Sequence, residues 1–444
     1  MSIVRERDTI FALSSGRLPA GIAVIRVSGH QAFPAVESLC GHLPEPRRLE
    51  LKPIRSRSGH LLDMGLVVLF HGPHSFTGED CAELHVHGGR AVVSAVFYEL
   101  ASIPGLRQAE AGEFSLRAFE HGKFDLTAAE ALADLIDAET EAQRRFAVEN
   151  SNGRNARLYS GWRETLLQGR ALIEAELDFP DEADVPGSVS NLVWTSIELL
   201  TEEIDRHVRD YRRSEIIRDG YRVAIVGAPN VGKSSLLNTL ARRDVAIVSD
   251  EPGTTRDLIE VSMDLGGLKV IFTDTAGIRE GAGPIERQGI ARARDAAKRA
   301  DLVLHIMDQA VDIAIDEIPA STTLLRIRSK IDMEGPTDSR EAWADVDISA
   351  VTGQGIDDLM DRITREATRA AGSSGDPLPF RERHVAELIV AQKALREFIA
   401  MRAEPLELAA EQLRIAADCL ARIVGKIGVD DLLDVVFSRF CIGK

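Results

Sequence analysis

Residues Tyr221 to Ala241 read YRVAIVGAPNVGKSSLLNTLA, an apolar run, a glycine-bearing turn and then a helix-forming segment. The turn, Gly227-Ala-Pro-Asn-Val-Gly232-Lys233-Ser234, has the spacing of a phosphate-binding loop in the strand-to-helix setting that loop requires. Its glycines let backbone N–H groups approach phosphate oxygens, and the helix N-terminus that follows attracts negative charge. Lys233 is placed to reach the β- and γ-phosphates and Ser234 to ligate Mg²⁺, with Asn230, Val231 and Ser235 in the same cradle. The bland alternative, a glycine-rich turn beside a solvated lysine, does not explain the strand and helix on either side. From about Tyr221 to Ala371 β-runs go on alternating with helical segments, the order of a doubly wound α/β sheet.

Downstream, FTDTAGIREGAGPIERQGI (Phe272 to Ile290) carries the phosphate-sensing signature Asp274, Thr275, Ala276 and Gly277. Ile278 then occupies the place where Ras-type GTPases put a water-orienting glutamine. Between the two motifs, SDEPGTTRD matches a first switch over Ser249, Asp250, Glu251, Pro252, Gly253, Thr254 and Thr255, with Thr255 the expected second Mg²⁺ ligand. Base identity is read from LLRIRSKID and DISA, which supply Ser329, Lys330 and Asp332, then Ser349 and Ala350, at two probable strand ends. The Asp332 carboxylate accepts from guanine N1 and N2, a donor pair adenine lacks, so the expected nucleotide is GTP. Ser329 stands where asparagine is usual. Loss of one buried polar contact costs about 1 to 3 kcal/mol, so affinity is expected to suffer and specificity to rest on Asp332.

The rest of the chain brackets this insert. Over residues 1–122, short β-rich runs such as GIAVIRVSG (Gly21 to Gly29) and MGLVVLF alternate with Gly/Pro turns and a helix-like RAVVSAVFYELAS, the texture of an α+β domain. Residues 123–219 are Ala/Glu/Leu-rich, with Leu126, Ala129, Leu132, Ala133 and Ile136 on one helical stripe and a Pro/Asp break at DFPDEADVPG. The insert spans residues 220–372, and helical texture returns over residues 373–444. The economical organisation is one helical domain interrupted by the α/β domain, although separate bundles fit the pattern too.

Composition bounds the partners. A chain of 444 residues with 44% hydrophobic content has ample material for several cores. Its net charge of −17 argues against broad electrostatic binding to RNA or anionic membrane, because such surfaces depend on clustered Lys and Arg. Any RNA contact is therefore local or supplied by another subunit. Cys40, Cys81, Cys419 and Cys441 form no Cys-x-x-Cys pair and are too few for a disulfide framework, which suits a reducing cytoplasm. The charged start MSIVRERDTI does not read as a signal peptide, and no apolar run approaches membrane-spanning length.

Taken together, the chain resembles the MnmE (TrmE) family of tRNA-modifying GTPases along its whole length. The residues that carry the resemblance are Gly-Thr-Thr-Arg-Asp in the first switch, Asp-Thr-Ala-Gly-Ile-Arg-Glu in the second, the GIAVIRVSG segment and the terminal Cys441-Ile-Gly-Lys444. The resemblance implies an N-terminal α+β tetrahydrofolate-binding domain, a discontinuous helical domain and an inserted Ras-like G domain. It also implies a K⁺ ion held by Asn230, Ser249, Glu251 and Thr254, some through backbone carbonyls, and a catalytic glutamate at Glu286. A cation beside the phosphates neutralises transition-state charge as an arginine finger does, a task worth about 10³ to 10⁵ in rate elsewhere. A carboxylate would be repelled by triphosphate at contact, so Glu286 is expected to orient the nucleophile through a bridging water. From sequence alone Glu286 also reads simply as an acid favourably placed at a helix start.

For the N-terminal domain, the resemblance implies a 5-formyl- or 5,10-methylene-tetrahydrofolate site at a homodimer interface, built from Arg26, Glu83, Lys123 and Lys444. Basic groups suit the folate carboxylates and Glu83 suits the pterin N–H groups, while each taken singly reads as a surface charge. His85 and His87 alternate on an apparent strand, but with no further cluster of ligands they read as structural. Cys441 is a possible reactive thiol in the tail FCIGK, which fits prenylation badly. The family acts with an FAD-dependent MnmG (GidA) type subunit in a heterotetramer on tRNA, modifying C5 of the wobble uridine. Two competing readings are a non-enzymatic ribosome-assembly GTPase, which should carry a basic RNA-binding module, and a GTP-regulated folate aminomethyltransferase, which should need no FAD partner.

Overall fold

The computed structural model describes residues 8–178, 189–228, 230–243, 246–247, 259–274, 298–308, 322–333, 343–372, 375–402, 406–428, 433, 436–438, 440 and 443. The chain divides into two compact units, Met1–Ala133 with Asn150–Asp178 and Leu406–Lys444, and Asp134–Glu149 with Phe179–Pro405.

The first unit contains a six-stranded sheet in the order β3-β4-β5-β2-β1-β6. Its strands are β1 (Thr9–Leu13), β2 (Ala20–Ser28), β3 (Glu50–Arg55), β4 (Leu61–Phe70), β5 (Cys81–Gly88) and β6 (Leu106–Gln108). MGLVVLF falls within β4, and GIAVIRVSG within β2 apart from its last glycine, as their β-rich composition predicts. All neighbours are antiparallel except β1 with β6. Because side chains alternate across a strand, Phe11, Ile25, Val27, Val67, Leu69 and Leu84 share one face. They form a core with helices α1 (Ala32–Cys40) and α2 (Arg90–Ala101). On the opposite face, Ile10 and Ala12 pack with Phe114 of α3 (Glu113–Glu120).

The helices that follow are α4 (Leu126–Ile136), α5 (Glu141–Ser151), α6 (Arg154–Asp178), α7 (Val189–Arg209) and α8 (Tyr211–Asp219). The predicted stripe on α4 is too narrow. Leu126 and Ala129 are buried, but so are Thr127, Ala128, Glu130 and Ala131, whereas Ile136 is exposed. The first turns of α4 are enclosed from several sides, by Phe119, Phe124, Phe437 and Phe440 among others, and periodicity within one helix does not report that. The DFPDEADVPG break lies almost wholly outside the described residues.

The second unit holds a seven-stranded sheet in the order β13-β12-β11-β7-β10-β9-β8. These strands are β7 (Tyr221–Gly227), β8 (Ala246–Ile247), β9 (Ile259–Leu265), β10 (Leu268–Asp274), β11 (Leu302–Met307), β12 (Thr323–Arg328) and β13 (Val346–Asp347). Strands β10, β7, β11, β12 and β13 are mutually parallel; β9 is antiparallel to β10 and β8 to β9. The doubly wound reading of the insert is therefore correct. Helix α9 (Lys233–Ala241) follows β7, and α10 (Ile356–Ala371) buries Ile356, Leu359, Met360, Ile363, Ala367 and Ala371 against the sheet core. The chain leaves β7 for one side of the sheet and later returns to β11 on the other, so β7 marks the topological switch point where such sheets bind ligands.

Helices α11 (Glu382–Ala400) and α12 (Leu406–Val424) close the chain. Within the first unit α12 packs on α6, and within the second α11 packs on α7, where Trp194 stacks on Phe398 with ring centroids 3.9 Å apart. Each pair joins a helix before the α/β insert to one after it. Among the described residues no helix is long and apolar enough to cross a membrane.

Candidate functional site

Every described nucleotide-site residue lies at the carboxyl edge of the parallel strands. Gly227 ends β7 with φ +151°, and a Cβ there would sit 2.2 Å from the Ile306 carbonyl oxygen, so no other residue fits. The loop then turns through Asn230 (φ +63°) and Gly232 (φ +108°) before α9 begins at Lys233. These left-handed residues aim the backbone toward the helix N-terminus, the geometry of an anion cradle.

Lys233 is buried, and its Nζ donates to the Gly227 and Ala228 carbonyls at 2.9 and 2.7 Å. Burial draws its ammonium below the ordinary lysine range, and the charge of Asp274 opposes this. Ser234 and Ser235 face solvent on the first turn of α9. The Ser234 hydroxyl donates to Asp274 Oδ2 at 2.7 Å, and Asp274 ends β10 fully buried. Two hard oxygens at the mouth of an anion cradle suit Mg²⁺, which prefers oxygen ligands next to substrate phosphates. Asn230 adds an exposed side chain with an amide oxygen, the donor type K⁺ requires.

The loop expected to read the base follows β12. Ser329 is buried, its N–H donates to the Met307 carbonyl at 2.8 Å, and its hydroxyl lies 2.6 Å from the carbonyl of Val231 in the phosphate loop. A buried polar contact thus exists at this position despite the missing amide. Lys330 adopts φ +59° and pairs with Asp308 at 3.4 Å, while Asp332 stands exposed on a short turn. Ser349 is fully buried; its Oγ accepts from the Thr352 N–H at 3.1 Å, and the Ala350 carbonyl accepts from Thr239 of α9 at 3.1 Å. Ser249, Asp250, Glu251, Pro252, Gly253, Thr254, Thr255, Thr275, Ala276, Gly277 and Glu286 lie outside the described residues.

A second cluster sits in the first unit, on the sheet face opposite α1 and α2. Arg26 and Glu83 are directly paired across β2 and β5, with Arg26 Nε and Nη2 donating to Glu83 Oε1 at 3.1 and 3.0 Å. The guanidinium lies 4.9 Å from the Phe76 ring centroid, and Phe76 packs on Phe124, next to Lys123. Lys123 itself is exposed and donates to the Pro73 carbonyl at 2.6 Å. The tail reaches the same sheet: Ser14 Oγ donates to the Gly443 carbonyl at 2.7 Å, and a Cβ on Gly443 would lie 2.0 Å from the Leu13 carbonyl oxygen. Cys441 and Lys444 lie outside the described residues. His85 reaches Glu83 at 3.2 Å and His87 reaches Asp63 at 2.8 Å.

Sequence reasoning missed the support beneath this cluster. Arg117, Glu79 and Glu113 form a largely buried network: Arg117 donates to Glu79 at 3.0 Å and to Glu113 at 3.0 Å, and Ser28 donates to Glu79 at 2.5 Å. Burial works to raise the Glu113 carboxyl, yet hydrogen bonds from Arg107 and the Glu110 amide and the charge of Arg117 hold it below its usual value. No local motif marks these residues. Only their shared burial identifies them.

Comparison with known proteins identifies the family. The model of the TrmE GTP-binding protein N-terminus matches residues 9–123, and that of the MnmE helical domain matches residues 126–441. The tRNA modification GTPase MnmE of Mesorhizobium japonicum is 54% identical over 98% of this chain and 99% of its own length. That of a Chelativorans species is 55% identical over 99% of this chain and 98% of its own. Among solved structures, Aquifex aeolicus Era with bound GDP and AlF4⁻ is 27% identical over 42% of this chain and 69% of its own, with a TM-score of 0.27.

Proposed function

Because the chain belongs to the MnmE family of tRNA modification GTPases, we propose that it couples K⁺-dependent GTP hydrolysis to modification of the wobble uridine of certain tRNAs. Working with an FAD-containing MnmG-type subunit, it installs an aminomethyl or carboxymethylaminomethyl group at C5, the methylene coming from a tetrahydrofolate. The observation that carries this reading is the presence in one chain of a phosphate-loop geometry on β7–α9 and a separate Arg26–Glu83 cluster on the N-terminal sheet.

In the G domain, Lys233 and the α9 N-terminus bind the phosphates, Ser234 and Thr255 hold Mg²⁺, and Asp332 selects guanine. Asn230, Ser249, Glu251 and Thr254 hold K⁺, which supplies positive charge where negative charge develops in the transition state. Glu286 then fills the role that Ile278 cannot, orienting the attacking water.

In the N-terminal domain, Arg26 pairs with Glu83, and that carboxylate would accept pterin N–H groups. Lys123 and Lys444 take the folate carboxylates. Support for a homodimer comes from the uncovered half of the same sheet face. Leu51, Met64, Leu66 and Ile22 share it and are 40 to 63% exposed, a patch of the kind that marks a partner surface. The described cysteines Cys40, Cys81 and Cys419 are buried free thiols, in keeping with a cytoplasmic setting. An acidic chain that leaves most RNA contact to its partner fits the net charge of −17. The decisive experiment is mass spectrometry of tRNA nucleosides from a strain lacking this protein. Loss of the wobble-uridine modification is expected, and an unchanged nucleoside profile overturns the proposal.

A further inference from the structure

We propose that Ser329 is a positioning residue that ties the guanine-reading loop to the phosphate-binding loop and does not itself read the base. This rests on the GTP-binding reading above and concerns how the two halves of that site are held together. The Ser329 hydroxyl has one proton to give. Of the two carbonyls within reach, Val231 at 2.6 Å lies closer than Met307 at 3.2 Å, so the bond goes to the phosphate loop. Val231 sits between the two left-handed residues that shape that loop, Asn230 and Gly232, and is itself buried. The contact is close in a second sense: a Cβ on Gly232 would lie 4.0 Å from Ser329 Cβ, ordinary van der Waals distance.

The residue before Ser329 fixes the other end. Arg328 is buried at the end of β12 and forks onto Asp347 of β13, Nε to Oδ1 and Nη2 to Oδ2, both at 3.0 Å. The Asp347 carbonyl in turn closes on Gly355, where a Cβ would come within 1.9 Å, so the loop bearing Ser349 and Ala350 is set by the same residue. Ser329 is therefore held from β13 on one side and bonded to Val231 on the other. Lys330 then turns away through φ +59°, and Asp332 projects on the turn that follows. A buried hydroxyl committed to Val231 has no proton left for a nucleotide base, which leaves guanine discrimination to Asp332. Its effect on affinity is instead through preorganisation: the base-reading and phosphate-binding loops arrive already in register, and binding is spared the ordering of one against the other.

The test compares GTP with 7-deaza-GTP, which lacks the N7 acceptor, and with 6-thio-GTP, whose sulfur accepts weakly in place of O6; these are the two base atoms a serine hydroxyl could donate to. In the full-length Ser329→Ala protein, removal of one buried hydrogen bond should weaken all three nucleotides by about three- to tenfold, leaving their ratios as in the wild type. Ser329→Thr, which keeps the hydroxyl, should restore most of the loss, and kcat at saturating GTP should stay within about twofold in both variants, since the residue acts on binding before the chemical step. Thermal unfolding without nucleotide checks that each variant is folded. A changed ratio of GTP to either analogue in Ser329→Ala would mean that Ser329 reads the base, and unchanged affinities would mean that the tie to Val231 contributes nothing; either overturns the proposal. Wild-type protein that binds none of the three would overturn the GTP reading and this proposal with it.

Discussion

The Ser234 hydroxyl donates to the Asp274 carboxylate at 2.7 Å, joining the first turn of α9 to the carboxyl end of β10. The two residues are 40 apart in sequence and meet because β7 and β10 are adjacent parallel strands, with Asp274 in register with Ile225. The phosphate cradle and the sensing strand thus share a pair of oxygens at their meeting point. Ser234→Ala is expected to raise the Mg²⁺ concentration needed for half-maximal GTP hydrolysis by about tenfold or more, the equivalent of one charge-assisted contact. A Mg²⁺ titration of the GTPase rate measures this, and an unshifted curve would take Ser234 out of the metal site.

Glu286 is assigned to the transition state and not to ground-state binding. Glu286→Ala should therefore lower kcat by about 10² or more while leaving GTP affinity within about twofold. Turnover under saturating GTP, set beside nucleotide affinity by fluorescence, separates the two. An affinity loss with kcat preserved would return Glu286 to the role of an acid at a helix start.

Potassium is expected to supply the charge for which the sequence identifies no arginine finger. Replacing KCl with NaCl at equal ionic strength should lower GTP turnover, and Asn230→Ala should remove most of the response to K⁺ while Lys233 and Ser234 keep their phosphate and Mg²⁺ contacts. Rates compared across the two salts decide the matter. Equal rates in both would shift the assignment to an arginine donated in trans.

Glu83 should govern folate binding separately from GTP turnover. Glu83→Gln keeps the shape of the side chain but removes the charge that pairs with Arg26 and that, in the proposed folate site, would meet pterin N–H groups. Calorimetry with 5-formyl-tetrahydrofolate is expected to show a loss of about tenfold or more. Removal of Cys441 to Lys444 should weaken the same binding, since the tail docks through Gly443 beside the end of β1. GTP binding should be untouched in both proteins, and unchanged folate affinity in either would remove that group from the site.

His207 gives stability a pH dependence. It is buried on α7, and burial, together with the charge of His384 and against a hydrogen bond to the Pro377 carbonyl, pulls its pKa from 6.5 to about 3. The folded protein thus holds this ring neutral at pH values where the unfolded chain protonates it. Its contribution is fully present above pH 6.5 and is lost as the pH falls from 6.5 toward 3, at up to about 1.4 kcal/mol per pH unit. His207→Gln should flatten that part of the profile, read from chemical unfolding between pH 8 and 5. Identical slopes in the two proteins would show that His207 does not titrate on unfolding.

The phosphate loop and the roles proposed for Asp274 and Asp332 could be drawn from the linear sequence because their chemistry is local. Phosphate binding needs backbone N–H groups, small residues at left-handed positions and a helix start within a few residues of one another, and Gly227 to Ser234 supplies all of them in one turn. The β-rich runs of β2 and β4 and the βα order of the insert are local for the same reason. What each polar side chain would meet was decided only by the tertiary fold. Ser329 finds Val231 across a separation of 98 residues, Arg26 meets Glu83 across 57, and Arg117 is neutralised by Glu79 across 38. Those pairings depend on which strands lie side by side and in what register, and a one-residue slip between β2 and β5 would put Arg26 and Glu83 on opposite faces of the sheet. The serine at position 329 shows the difference most plainly: in the sequence it is a missing amide, and in the fold it is a hydroxyl buried against the phosphate loop, because β12 lies one strand, β11, away from β7, which leads into that loop.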